Sequence, residues 1–320
     1  MNNEIYIQCK YYEICRCEIV PTSFVMEVRS KTAIRKGEEI TTRYLGPWEG
    51  QPSRQLKIEQ NWRFICNCRR CKDPTELGTN FSAIKCPKCI EEEISKNKDT
   101  KGSTNMILNN RTSKNGGYLL PINVQDLGTP WQCNDCGRRK YLSDIECILR
   151  KVQTALEKIK SDILANMSNT FTKVVKDIRI AINVLEEKLH PNHYLIFQFK
   201  RWIAELDYSN QAPSPFDSIT SDASNKSTHE DTVLSKIEFL ELQMEYHNDI
   251  LKLTEALEPG LSVNRAGHIK CIAKRRIELS QMKMSADPNK FTKVQYMAEM
   301  KIAMSELMQV KASFKYPENK

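Results

Sequence analysis

Seven of the twelve cysteines fall into three tight spacings: Cys66-x-Cys68-x2-Cys71, Cys86-x2-Cys89 and Cys133-x2-Cys136. Thiols so spaced converge on one point, which suits an ion that takes four tetrahedral sulfur or imidazole ligands, zinc above all. As packing residues alone, three cysteines in six positions are hard to explain. The chain opens Met1-Asn2-Asn3-Glu4, with no basic stretch leading into an apolar run. Metal binding in a reducing compartment, nuclear or cytoplasmic, is therefore expected over a secreted disulfide framework.

The two C-x2-C pairs, Cys86/Cys89 and Cys133/Cys136, form a zinc-ribbon signature with a long insert. Four thiolates close such a site, so its metal serves folding and not catalysis. Cys66, Cys68 and Cys71 supply three ligands to a separate ion. Its fourth is open among Cys9, Cys15, Cys17 and Cys86. Cys147 and Cys271 fall in helical patterns and are expected as small core residues.

Around these motifs the character of the chain changes. Residues 1–44 read as strands, with partial alternation in Phe24-Val25-Met26-Glu27-Val28-Arg29, a turn at Lys36-Gly37 and a β-branched run from Ile40 to Tyr44. Residues 53–62 are polar and compatible with a helix. Between the ribbon cysteines, Ser95 to Gly117 is rich in Lys, Asn, Ser and Gly and is expected as a mobile loop. From residue 143 onward apolar residues recur at helical spacing. Ser143-Asp144-Ile145-Glu146 reads as a capping box. Phe171, Val174, Val175, Ile178, Ile182, Leu185 and Leu189 form a second stripe, and Pro191 is expected to start a third helix. A linker is expected over 209–232. A helix around Ile237 to Leu257 stops at Pro259-Gly260, and Asp287-Pro288 is expected to start a last helix carrying Val294, Met297, Ile302 and Leu307. About six helices in stacked pairs follow, without a clean repeat of about 34 residues.

The formal charge of +8 permits an acidic partner without demanding one. Direct nucleic-acid binding through Arg138-Arg139-Lys140 or Lys274-Arg275-Arg276 is the weaker expectation. No run of about 18 apolar residues exists, so no membrane partner is expected. His190, His193, His247 and His268 lack a supporting ligand pattern and read as structural.

Gly37-Glu38-Glu39-Ile40-Thr41-Thr42-Arg43-Tyr44, followed by Phe64-Ile65-Cys66-Asn67-Cys68-Arg69-Arg70-Cys71, resembles the end of a SET domain and its post-SET zinc loop. Arg70 to Thr79 and the ribbon cysteines resemble the SET-and-MYND (SMYD) group, particularly its arthropod branch. Leu189-His190-Pro191-Asn192-His193-Tyr194 and Glu258-Pro259-Gly260 resemble that group's C-terminal helical domain. The resemblance implies an α+β fold. A β-rich C-terminal SET segment would occupy 1–50, a post-SET zinc loop 51–85, a zinc-ribbon-like region 86–142, and an all-α, tetratricopeptide-like helical-hairpin domain 143–320.

By the same resemblance, the activity is methyl transfer from S-adenosylmethionine to a protein lysine, with a protein or peptide such as a histone tail as substrate. Tyr44 matches the catalytic tyrosine, and Phe64 the aromatic beside the adenine. An in-line attack by a neutral amine needs alignment and a desolvated channel more than acid–base power. The family's Gly-x-Gly strand, Asn-His-Ser-Cys loop and MYND finger do not occur in these 320 residues. The expectation is a C-terminal portion that is inactive by itself. The alternative is a non-catalytic, zinc-stabilised protein-interaction module.

Overall fold

A computed structural model describes residues 16–20, 25–29, 34–38, 43–92, 117–166, 171–206, 226–260, 262–287 and 289–314, with backbone only at 16–20, 25–29, 226–232 and 312–314. The expected loop at Ser95 to Gly117 and the strand residues Ile40–Thr42 lie almost wholly outside them. The fold is α+β and mostly helical, as the sequence implies. By internal contacts the chain divides into two units: Met1–Cys15, Lys36–Thr154 and Asn183–Ile196 form one, and Arg16–Arg35, Ala155–Ile182 and Phe197–Lys320 the other.

The first unit holds α1 (Gln51–Trp62), the short α2 (Arg69–Lys72) and a four-stranded antiparallel sheet. Its strands are β3 (Ile84–Lys85), β4 (Tyr118–Pro121), β5 (Trp131–Cys133) and β6 (Arg139–Lys140), in that order across the sheet. The register pairs Ile84 with Leu119 and Leu119 with Cys133, and it buries Phe81, Ile84, Leu119 and Trp131 together. The turn at 188–194 runs beside this sheet. Lys85 N–H donates to the Lys188 carbonyl, His190 N–H to Ala83 and Tyr194 N–H to Phe81, at 2.8, 3.1 and 2.8 Å. The Leu189–Tyr194 segment is thus tied to the ribbon region far from it in sequence.

The second unit contains a two-stranded antiparallel ladder, β1 (Arg16–Val20) with β2 (Val25–Arg29), and helices. From Leu142 onward the helices among the described residues are α3 (Leu142–Asn166), α4 (Phe171–Glu186), α5 (Tyr194–Glu205), α6 (Lys226–Leu257), α7 (Val263–Ala286) and α8 (Lys293–Phe314). Phe199, Ile203, Phe239, Leu240, Ile250, Ile272 and Ala273 are buried among them. Gln243 Nε2 donates to the Ile203 and Leu206 carbonyls, both at 2.9 Å, and so satisfies acceptors that the end of α5 leaves open. Ion pairs join successive helices: Lys283 with Glu241, and Arg276 with Glu299 and Glu306.

Several boundaries differ from the sequence expectation. Tyr44 lies in a bend, not a strand. α3 starts one residue before Ser143, with the Tyr141 carbonyl accepting from Asp144 and Ile145, so Ser143 sits inside the helix and cannot cap it. Pro191 precedes α5 by three residues because the turn at 188–194 is held to the sheet. Helix α6 reaches back into the expected 209–232 linker as far as Lys226.

Asp287 ends α7, and its carboxylate accepts from Asn289 and Lys290 in a local turn. The box that opens α8 is Thr292 with Gln295. The Gln295 amide donates to Thr292 Oγ1, and the Thr292 amide donates to Gln295 Oε1. Val294, Met297 and Ile302 are exposed on α8, not turned into a core, and Cys147 is exposed too.

Candidate functional site

Two thiol clusters lie in the first unit. The sulfurs of Cys86, Cys89, Cys133 and Cys136 lie within 4.8 Å of one another, as do those of Cys66, Cys68 and Cys71. Cys86 therefore sits in the ribbon cluster and is not the missing ligand of the Cys66–Cys71 group. Cys9 and Cys15 lie outside the described residues, as does the side chain of Cys17.

The ribbon cluster has the dimensions of a zinc site. Four sulfurs about 2.3 Å from one ion stand about 3.8 Å apart. The Cys86–Cys136 and Cys89–Cys133 separations are 3.6 and 3.7 Å. Backbone amides turn toward the sulfurs, with Asp135 N–H on Cys133 Sγ at 3.4 Å, and Gly137 closes the knuckle at φ 68°. Burial pushes the Cys86 and Cys89 thiols up, and the neighbouring thiols push Cys89 further. The Arg138 amide pulls Cys136 down. A cation at their centre would offset the cost of ionising these crowded, partly buried sulfurs together.

Gly117 permits the approach. A Cβ there would lie 2.5 Å from Cys133 Sγ and 2.7 Å from Cys89 Sγ. Gly117→Ala is expected to lower zinc affinity at least about tenfold, through the overpacking a methyl group forces on a tight site. Competition against a chromophoric chelator measures this; an unchanged affinity would mean the strand carrying Gly117 yields freely.

The three-thiol cluster is built on α1. Its buried face is polar: Gln51, Arg54 and Gln55, with Ile58 as the one apolar member. Gln55 pairs with Cys66 as a strand would, its Nε2 donating to the Cys66 carbonyl at 2.7 Å and its Oε1 accepting from the Cys66 amide at 3.0 Å. Arg54 Nη2 approaches Cys71 Sγ at 3.9 Å. The Cys71 thiol is held down by its Cys66 hydrogen bond, but the Cys68 bond and burial outweigh this and push it up. Ile58 packs with the three cysteines, and half-buried Leu45 and Phe64 lie against them.

Beside this cluster three aromatic rings meet. Tyr44 stands edge-on to Trp62, with ring centroids 5.1 Å apart, and to Phe64 at 5.3 Å. The structure thus brings Tyr44, Phe64 and the Cys66–Cys71 thiols into one neighbourhood.

A buried ion triad holds the segment leading away from Tyr44. The Glu76 carboxylate takes Arg54 Nη1 at 2.5 Å, Arg70 Nε at 2.8 Å, the Gln51 amide at 3.2 Å and Ser82 Oγ at 2.5 Å. The same arginines donate to the carbonyls of Pro47 and Glu49 at 2.9 and 2.6 Å. Arg70 also lies over the Phe81 ring at 5.3 Å. Burial alone would raise the Glu76 carboxyl. The Arg54 and Arg70 charges and the Ser82 hydroxyl overcome it and lower the pKa to about 2. Glu76 and Leu77 adopt left-handed φ of 51° and 63°. Asp73, accepting from the Thr75 and Leu77 amides at 2.8 and 2.7 Å, locks the turn that swings Glu76 inward.

Sequence reasoning missed this triad. The available signal was polar: residues at 51, 54, 55 and 58 share one helix face, and Asp73-Pro74-Thr75 with Gly78 spells a tight turn. None of the described histidines joins a thiol cluster. His193 is buried with a pKa pushed down to about 3 by burial, and its Nδ1 accepts from the Leu195 amide.

No protein-family model matches the chain. Over part of its length it is similar to curated relatives. It is 33% identical over 69 residues to the histone-lysine N-methyltransferase SET5 of Scheffersomyces stipitis, covering 22% of this chain and 14% of the relative. It is 31% identical over 97 residues to SET5 of Meyerozyma guilliermondii, covering 28% and 20%. It is 29% identical over 109 residues to the SET domain-containing protein SmydA-8, isoform A, of Drosophila melanogaster, covering 34% and 18%. The chain is SET/SMYD-like in that segment, and it spans a fifth or less of the length of each of these relatives. No helix among the described residues is long and apolar enough to cross a membrane.

Proposed function

We propose that this SET/SMYD-like chain carries the catalytic-tyrosine and post-SET portion of a protein-lysine methyltransferase that uses S-adenosylmethionine, acts on a protein such as a histone and works in the nucleus or cytoplasm. The observation that carries it is the packing of Tyr44 against Trp62 and Phe64 beside the Cys66–Cys71 cluster. Those aromatic rings can strip water from an approaching lysine amine. A phenol keeps its proton at neutral pH and can accept a hydrogen bond from an amine or donate one. Tyr44 would orient the neutral amine so that its lone pair lies in line with the reacting carbon.

Phe64 fits the donor. It is half-buried on the thiol cluster, and a partly exposed aromatic ring is a surface on which a purine stacks. When bound, S-adenosylmethionine would supply an electrophilic methyl group on sulfur. Zinc in the two thiol clusters would fix the loop that carries Phe64 and the sheet behind it.

The test is calorimetric titration of S-adenosylmethionine into zinc-loaded protein, followed by methyl transfer to histone peptides. Micromolar binding is expected. Tyr44→Phe is expected to keep that binding while lowering the transfer rate about a hundredfold, the size typical of a lost positioning or proton-handling hydroxyl. Zinc-loaded protein that neither binds the donor nor transfers methyl would leave the interaction-module reading in its place.

A further inference from the structure

Helix α8 has two faces of opposite character. One is turned into the fold: Ala303 is buried, and Glu299 and Glu306 are drawn onto Arg276 of α7 at 2.7 and 2.9 Å. The other presents Val294, Met297, Lys301, Met304, Met308 and Lys311, all exposed. Val294 is 77% exposed, Met297 53%, Met304 60% and Met308 64%. Solvent-facing positions of a helix are ordinarily polar.

The spacing along this face is 3, 4, 3, 4, 3, the a/d pattern of a coiled-coil seam. Two lysines interrupt this seam, and exposed Ile302 stands outside it, unlike the continuous apolar face by which a helix lies in a lipid surface. Ala298 and Ser305 flank it on one side, small enough for another helix to come close. Methionines, flexible and polarizable, adapt to a helical partner.

The charges on the seam select the occupant. Lys301 and Lys311 lie within it, and no ion partner holds either among the described residues. The carboxylates of Glu299 and Glu306 face the other way, toward Arg276. A second copy of α8 would bury lysines from both chains against Val and Met with no acid on either seam, which desolvation disfavours. We propose that the outer face of α8 docks an amphipathic helix of another protein, whose apolar seam carries carboxylates opposite Lys301 and Lys311. Those two positions are about 15 Å apart along the axis, so the partner presents at least three helical turns. The docking is independent of any methyl transfer by the first unit.

The test uses the full, zinc-loaded chain and two synthetic helical peptides of about 20 residues. Both have leucine at the seam positions; one has glutamate, the other lysine, opposite Lys301 and Lys311. Fluorescence anisotropy should show the glutamate peptide binding at least about tenfold tighter than the lysine peptide, with the difference shrinking at high salt. The double variant Lys301→Glu/Lys311→Glu should reverse the preference, and Met304→Asp should weaken both peptides at least about tenfold. These positions are exposed, so the fold should persist, and circular dichroism checks that it does.

Equal affinities for the two peptides, or no binding of either, would overturn the proposal. So would self-association in sedimentation that Met304→Asp abolishes, which would make a second copy the occupant. Binding to anionic vesicles in place of either peptide would likewise overturn it and assign the face to a lipid surface.

Discussion

Cys133→Ser should remove one of two zinc ions per chain and unfold the sheet of the first unit. The strands β3 to β6 are two to four residues long. Sheets this small do not persist without something to tie them. The apolar residues around them, chiefly Phe81, Ile84, Leu119 and Trp131, form a modest core. The ribbon thiols connect all its parts: Cys86 follows β3, Cys133 ends β5, and Gly117 next to β4 accepts from the Cys86 amide at 2.8 Å. Structural zinc contributes about 10–16 kcal/mol to the folding of finger peptides, as much as the net stability of an ordinary domain. Losing one of four thiolates should therefore cost several kcal/mol.

Elemental analysis should find two zinc ions in wild type and one in the variant. Heating should show the variant melting at least about 10 °C earlier, and a chelator, which strips both ions, should lower the wild-type melting point at least as far. A variant that keeps both ions and the wild-type melting point would mean the four sulfurs do not share a metal.

The cysteine spacings make these clusters legible in the sequence, because zinc geometry acts over a few residues and leaves a mark in the chain. Apolar periodicity likewise locates the α4 stripe from Phe171 to Leu185, whose members are buried as that spacing implies, while Leu189, also buried, lies past the helix in the turn at 188–194. Local patterns mislead where a cap or a turn is settled by distant contacts. Ser143 resembles a cap, but the chain from β6 reaches Tyr141 already positioned to accept the first helical bonds. Asp287-Pro288 resembles a helix start, yet Asp287 closes the helix before it, and Thr292 with Gln295 opens the next.

Least legible is the triad of Arg54, Arg70 and Glu76. Hydropathy gives no reason to bury two arginines, and no local pattern joins residues 54 and 70 to the apex of a turn at 76. What buries them is the one Glu76 carboxylate they share together with four backbone and side-chain partners, a property of the assembled fold.

Glu76→Gln is accordingly expected to destabilise the protein by about 3–5 kcal/mol at neutral pH, the cost of leaving buried cations uncompensated. Arg54 and Arg70 have side-chain exposures of 3% and 0%, and Glu76 has 0%, so water cannot take the place of the lost charge. The amide keeps the shape of the carboxylate, so the effect reports charge and not packing.

The pH dependence has a definite sign. The Glu76 carboxyl falls from an ordinary value of 4.5 to about 2 in the folded chain. A depressed carboxylate contributes fully above 4.5, here about 3 kcal/mol, and loses that contribution as pH falls through 4.5 toward 2. The stability difference between wild type and Glu76→Gln should thus be constant from pH 7 down to about 5 and then narrow. Zinc content is followed in parallel, and the comparison is drawn over the pH range in which both proteins keep two ions. Urea titrations at stepped pH, each with both proteins, provide the measurement. A gap below about 1 kcal/mol at pH 7, or one that stays flat into acid, would show that the arginines find other partners.

The consequence should extend to the candidate active site. Arg54 and Arg70 hold the carbonyls of Glu49 and Pro47, a few residues from Tyr44. Without the carboxylate that fixes both guanidiniums, the Tyr44 segment loses its anchor while Cys66, Cys68 and Cys71 keep their spacing. Zinc content in Glu76→Gln should therefore remain at two ions per chain, and any methyl transfer should fall even at temperatures where the variant is fully folded.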